Sequence, residues 1–208
     1  MVSLTKQPVN LQLVPQLKTT HKTQQNRAGG NTPALFSIQG LSKRLWQYPT
    51  MKIHIGSDHA GFELKAEFIK HLESKGHEVI DHGPTWYDAI DDYPPFCLRA
   101  AEAVATDSGS LGIVLGGSGN GEQMAANKVL GIRAALAWNP NLAALSREHN
   151  NANVVSIGAR MHSAEEAIAI IDAFISTPYS NEERHTRRID MLSHYEKTRV
   201  LPPMPEGH

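Results

Sequence analysis

The 208-residue chain predicts an α/β fold, a five-stranded parallel sheet covered by helices on both faces. Three observations carry that reading. From Met51 onward, short apolar runs alternate with longer stretches whose apolar residues recur at helical spacing. Glycine and polar clusters mark the changeovers, as the turns between such elements require. Strands joined through helical segments form βαβ units, and these build parallel sheets buried on both sides.

The elements follow in order. Ile53–Gly56 reads as the first strand, and residues 62–72 place Phe62, Leu64, Phe68, Ile69 and Leu72 along a helix that Gly76 ends as a cap. Glu78–Asp81 is the second strand, followed by a polar loop carrying Asp91-Asp92-Tyr93-Pro94-Pro95. A helix from Leu98 to Ala105 leads to strand three, Leu111–Leu115, then to the loop Gly116–Glu122 and a helix through Gln123–Lys128. Arg133–Ala137 (strand), Leu142–His149 (helix), Val154–Gly158 (strand) and Ala164–Ile175 (helix) complete the alternation. A charged helix over Asn181–Arg199 precedes the tail Leu201-Pro202-Pro203. The expected architecture is a three-layer αβα sandwich, Rossmann-like, with a flavodoxin-like strand order and an extra C-terminal helix. Residues 1–50 are expected to be a disordered extension, 51–200 the folded domain and 201–208 a flexible tail.

Composition sets the limits. The chain is long enough for one core of ordinary size. No apolar run approaches the roughly 20 residues that span a bilayer, so no membrane helix is expected. A single cysteine, Cys97, excludes an intrachain disulfide and thiolate zinc sites, and its apolar neighbours mark it as a small buried hydrophobe. That cysteine usage fits a reducing, cytoplasmic setting. Residues 1–50 carry Lys6, Lys18, Lys22, Arg27, Lys43 and Arg44 and no acid, whereas the other 158 residues hold 14 basic and 21 acidic side chains. A body this acidic is a poor nucleic-acid binder, so an anion site has to be a local cluster. The extension shares its acid-poor, Thr- and Gln-rich make-up with transit peptides, but it has few arginines and no amphipathic helix.

Four glycines in six residues make Gly116–Gly121 the most chemical stretch of the chain. Such a loop curls its N–H groups together beside a helix start and attracts an anion, either a bound phosphate or an oxyanion formed in a reaction. Ser118 and Glu122 stand next to it. Each also has a plain reading, Ser118 as a helix cap and Glu122 as a complement to the helix dipole. The loop lacks the Lys-Ser/Thr pair of a Walker A motif and has the wrong spacing and position for a dinucleotide fingerprint. In parallel sheets ligands bind beyond the carboxyl ends of the strands. That rule selects Gly56-Ser57-Asp58-His59, the glycine loop and Gly158-Ala159-Arg160. Asp58 is also a fair N-cap, and His59 titrates near neutral pH and bonds sugar hydroxyls or phosphates. Glu148-His149-Asn150-Asn151-Ala152-Asn153 is richer in polar groups than a helix end needs. Arg184 and Arg188, four residues apart, form a two-arginine fork suited to phosphate, or else a solvated face. No histidine pair has metal spacing, and no metal is expected.

Together these pieces resemble the type B ribose-5-phosphate isomerase family, which includes galactose-6-phosphate isomerase subunits. The resemblance runs from about Met51 to Arg199. It rests on Gly56–Gly61, Asp92-Tyr93-Pro94, Gly116–Glu122 with Ala125-Ala126-Asn127-Lys128, Glu148–Asn153, and Arg184-His185 with Arg188. It implies a cofactor-free aldose–ketose isomerase working through an enediolate on ribose 5-phosphate and ribulose 5-phosphate. One branch of that family uses a cysteine just before the glycine loop as base. This chain has glycine there and is similar to the branch with a glutamate after the loop, typical of actinobacteria, which implies Glu122 as base.

By the same resemblance, Ser118 with the amides of Gly117, Gly119, Asn120 and Gly121 would hold the enediolate oxygen. His149 with Asp58 would assist furanose opening, and Asn150 would hold sugar hydroxyls. His59, Arg160, Arg184 and Arg188 would hold the phosphate, with His185 nearby. A homodimer with its sites at the subunit interface is implied, a tetramer being open. Two other readings stay open: a six-carbon substrate such as allose or galactose 6-phosphate, and a phosphosugar-binding protein without catalysis. A nicotinamide oxidoreductase is disfavoured, because no ribose-binding acid follows a suitable glycine fingerprint.

Overall fold

The computed structural model describes residues 50–207; the extension expected to be disordered lies, Thr50 apart, outside them. The strands are β1 (Lys52–Ser57), β2 (Glu78–Asp81), β3 (Leu111–Gly116), β4 (Ala134–Leu136) and β5 (Val154–Gly158). The helices are α1 (Phe62–Ser74), α2 (Pro94–Thr106), α3 (Asn120–Ala126), α4 (Pro140–Asn150), α5 (Ala164–Ser176) and α6 (Glu183–Thr198), with one 3₁₀ turn at His59–Gly61. All four strand pairings are parallel. The α/β class and the five-stranded sheet are as the sequence predicts.

The strand order differs. It is β2-β1-β3-β5-β4, whereas a flavodoxin-like order would put β4 beside β3. Burial explains the exchange. Every residue of β5 is buried, so it occupies an interior place, while β4 has three residues of which one is buried. A short, half-covered strand belongs at an edge.

Right-handed crossovers then fix the layers. Moving from β1 out to β2, and from β4 back to β5, puts α1 and α4 on one face, where α5 joins them. Phe68 and Leu72 of α1, Ala143 of α4 and Ile170, Ile171 and Phe174 of α5 form one core with the sheet. The connections to β3 and to β4 put α2 and α3 on the other face, where Cys97, Ala100, Val104 and Ala126 form the second core. Cys97 is buried, as its neighbours predict.

Local chemistry sets the boundaries. Gly76 takes φ +88° just past α1. Helix α2 starts earlier than expected because Pro94 and Pro95 occupy its first turn, where no N–H is needed. Ser163 and Glu166 form a capping box on α5. The long β2–α2 connection is held from beneath by Lys65, nearly fully buried, whose Nζ donates to Asp81 Oδ1 at 2.7 Å and to the Pro84 carbonyl at 2.7 Å.

Candidate active site

The topology prepares a crevice. The chain leaves β1 and β5 toward one face of the sheet and leaves β3 toward the other. The loops after β1 and β3 therefore turn away from each other at the carboxyl edge, the arrangement that opens a binding crevice between them, while the loop after β3 stays bonded to the one after β5. Two hydrogen bonds continue the sheet into this region, from Ala159 N to Gly116 O (2.8 Å) and from Arg160 N to Gly117 O (3.1 Å).

Gly119 caps α3 in the left-handed region, φ 80°, and a Cβ there would stand 2.6 Å from Leu136 Cδ1. Only glycine meets both demands. Ser118 is thus not the N-cap residue itself, but its Oγ accepts from the N–H of Asn120, the first residue of α3, at 3.4 Å and from the Asn120 side chain at 3.2 Å. Among the described residues, the N–H groups of Gly117, Ser118 and Gly121 donate to no protein acceptor. They form a cradle open to a ligand oxygen. Asn120 through Glu122 belong to α3 itself, one turn earlier than the sequence predicts.

Glu122 is no mere dipole complement. It is buried, and its carboxylate lies against the Cα of Gly116, where a Cβ would overlap it. Its Oε2 is buried without a hydrogen-bond partner. Burial raises its pKa above the usual carboxylate value, and the charge of Asp58 adds to the rise; the N–H groups of Glu122 itself and of Gly119 oppose it. Asp58 caps the 3₁₀ turn, accepting from Ala60 N at 2.9 Å and Gly61 N at 3.3 Å. Its plain role as a cap is real and leaves Oδ2 available.

Two residues without an assigned role in the sequence reading complete this edge. Asp91 accepts from the His59 ring Nδ1 and from the His59 N–H, each at 2.8 Å. That bond raises the His59 pKa above its usual value, burial opposing and Asp58 assisting. Tyr93 lays its ring on Gly121, where a Cβ would be 2.7 Å from Cζ. An acidic, aromatic stretch ending a long loop at the carboxyl edge was the available signal. Arg160 is exposed beside the glycine loop, its Nη1 3.6 Å from a Cβ placed on Gly117.

The remaining predicted residues lie elsewhere. His149 and Asn150 end α4 just before β5 begins, at the amino edge of the sheet; the Asn150 carbonyl accepts from Arg133 Nε at 3.0 Å, next to the start of β4. His185 is buried against His149, ring centroids 4.4 Å apart, and bonds Ser180 Oγ at 2.9 Å. Burial, and then the charge of His149, lower its pKa. Arg184 turns to Glu182 at 2.7 Å, and Arg188 is exposed on the same helix. The predicted set thus divides. Asp58, His59, Gly117, Ser118, Gly119, Asn120, Gly121, Glu122 and Arg160 share the carboxyl edge, while His149, Asn150, Arg184, His185 and Arg188 share the amino edge. The division follows from α4, which runs antiparallel to the strands and carries its last residues to the end opposite the glycine loop.

The ribose/galactose isomerase family matches residues 53–192. Ribose-5-phosphate isomerase B of Mycobacterium tuberculosis H37Rv is 60% identical over 155 residues, which are 74% of this chain and 96% of that protein. The Escherichia coli K12 protein of the same name is 42% identical over 148 residues, 71% and 98% of the two chains. The crystal structure of ribose-5-phosphate isomerase B from Mycoplasma genitalium with bound ribulose-5-phosphate superposes with a TM-score of 0.69 at 41% identity, covering 73% of this chain and 99% of that one. The fold, the glycine loop and these likenesses agree: the chain belongs to the ribose/galactose isomerase family.

Proposed function

We propose that this chain interconverts ribose 5-phosphate and ribulose 5-phosphate through an enediolate, with no cofactor and with residues 51–200 as the isomerase body. The observation that carries the reading is the Glu122 carboxylate, buried beside a cradle of unpaired N–H groups with one oxygen left without a partner. The relatives' names and the ribulose-5-phosphate in the M. genitalium structure support the substrate class.

Glu122 takes the proton from C2 of the open-chain aldose, and the electron pair moves to form the C1–C2 double bond as charge develops on O1. Ser118 and the amides of Gly117 and Gly121 hold that oxygen, an interaction strengthened only as the charge appears. Glu122 returns the proton to C1 while the hydroxyl proton at O2 moves to O1, so the ketose differs from the aldose only in where two hydrogens sit. A carboxyl whose pKa is raised by burial suits both the taking and the giving. His59 and Arg160 hold the phosphate.

His149, Asn150, Arg184, His185 and Arg188 belong to the same reaction if a second copy supplies them. Strands of five to six residues separate the two edges by about 15–20 Å. A two-fold dimer would bring the amino-edge group of one copy to the carboxyl edge of the other, completing two equal sites. There His149 and Asp58 would open the furanose, Asn150 would hold hydroxyls, and the arginines would join the phosphate clamp. The cytoplasm is the proposed setting; among the described residues no helix is long and apolar enough to cross a membrane. The test is a direct assay with ribose 5-phosphate beside allose and galactose 6-phosphates. Turnover of the pentose phosphate is expected, and phosphosugar binding without turnover of any would overturn the reading.

A further inference from the structure

Asp91 sits late in the β2–α2 connection with its side chain about one-tenth exposed. Its Oδ1 accepts two hydrogen bonds, both from His59. Its Oδ2 is buried and has no partner. Among the described residues, His59 is therefore the only group that compensates this carboxylate. A buried carboxylate is costly as an ion unless it faces a positive partner, and the imidazolium of His59 is the one within reach.

Two bonds to one residue do more than neutralise charge. The N–H bond fixes where the backbone of residue 59 stands, and the Nδ1 bond fixes how its ring is turned. With Nδ1 donating to Asp91, Nε2 is the nitrogen left without a protein partner, and in the imidazolium it carries the second N–H. The Tyr87 ring stands edge-on to the imidazole, centroids 6.5 Å apart at 89°. The groups facing His59 are thus Asp58 on its own turn and Tyr87 and Asp91 on the loop, none of them cationic. The loop is itself tied down, because Lys65 grips Asp81 and the Pro84 carbonyl and Asp81 accepts from Gly83 N at 2.8 Å.

We propose that Asp91 is the positioning residue of His59, turning its ring so that Nε2 donates to the phosphate of the bound sugar. This rests on the reading above in which His59 belongs to the phosphate clamp. Asp91 touches no reacting atom. It converts a mobile imidazole into an oriented cationic donor, and its loss weakens binding without disturbing the Glu122 chemistry.

The test compares Asp91→Asn, Asp91→Glu, His59→Asn and the Asp91→Asn/His59→Asn pair in the full chain, between about pH 6 and 9, where imidazole titrates. KM for ribose 5-phosphate is expected to rise about tenfold in Asp91→Asn with kcat within about threefold of wild type, the size of one lost charge-assisted bond. Asp91→Glu should restore most of the affinity, and Asp91→Asn should add nothing to His59→Asn. The midpoint of the His59 Cε1–H NMR titration, followed without substrate, should fall in Asp91→Asn. An unchanged KM, a full additive effect in the double variant or an unmoved titration overturns the proposal. The NMR arm stands apart from turnover: an inactive wild-type chain overturns the proposed function, while a falling midpoint still upholds the His59–Asp91 pair. Should Asp91→Asn not fold, Asp91→Ser carries the same measurements.

Discussion

Asp58, on the loop after β1, and Glu122, in the first turn of α3, bury their carboxyl groups on the two sides of the β1/β3 crevice, close enough for the charge on Asp58 to disfavour ionisation of Glu122. Burial is the larger cause and Asp58 the smaller. The acid limb of the kcat profile should therefore lie above the usual carboxylate range, and activity should fall as the pH drops through it. Asp58→Asn should move that limb down. Glu122→Gln should keep phosphosugar binding and lose about two to four orders of magnitude in kcat, the worth of a general base. Initial rates across pH, with equilibrium binding of the variant, check all three.

Stability should follow the opposite course. A carboxyl whose native pKa is raised leaves the native state holding more protons than the unfolded chain between the two values. Folding stability therefore falls as the pH rises from the unfolded value through the native one, and the penalty is complete above it. Glu122→Gln should thus melt above wild type near pH 8, by about 2–4 °C per kcal/mol relieved. The gain should vanish near pH 4, below the unfolded pKa. Calorimetry at the two pH values decides it, and an equal difference at both would refute the burial penalty.

Gly116 leaves no room for a side chain, because the Glu122 carboxylate occupies the place of its Cβ. Gly116→Ala should displace the carboxylate, cutting kcat by about a hundredfold or more. It should also destabilise the fold by about 1–3 kcal/mol, as overpacking does. An active, stable Gly116→Ala would show that the glutamate works from another position.

Arg188 is exposed and lies on the face of α6 that also carries Arg184. If it clamps phosphate, Arg188→Ala should raise KM about tenfold, one charge-assisted contact, with a small change in kcat. An unchanged KM removes it from the clamp.

Much of the fold is legible because the signals are local. Strands β2 and β5 fall at the predicted residues, since each apolar run is bounded by turn or polar residues. Strand order is not legible, because it depends on which of β4 and β5 can be covered on both faces. The glycine loop and Glu122 stand out by composition and placement, yet the burial of Glu122 is tertiary. The same residue could have been a solvent-facing complement to a helix. Asp91 is missed for a related reason: in sequence it is one acid of a polar loop, and only folding brings it to His59, 32 residues away. The split between the two edges follows from the antiparallel run of α4, which the periodicity shows only once the sheet direction is known.

That split has a genetic consequence. If each site combines Glu122 of one copy with His149 of another, two dead chains can rescue each other. In a mixed dimer of Glu122→Gln and His149→Ala chains, one site receives both lesions and the other receives neither. Co-refolding equal amounts of the two inactive variants should restore about a quarter of wild-type sites, half the dimers being mixed and half their sites intact. A mixture that stays silent would mean that each chain works alone.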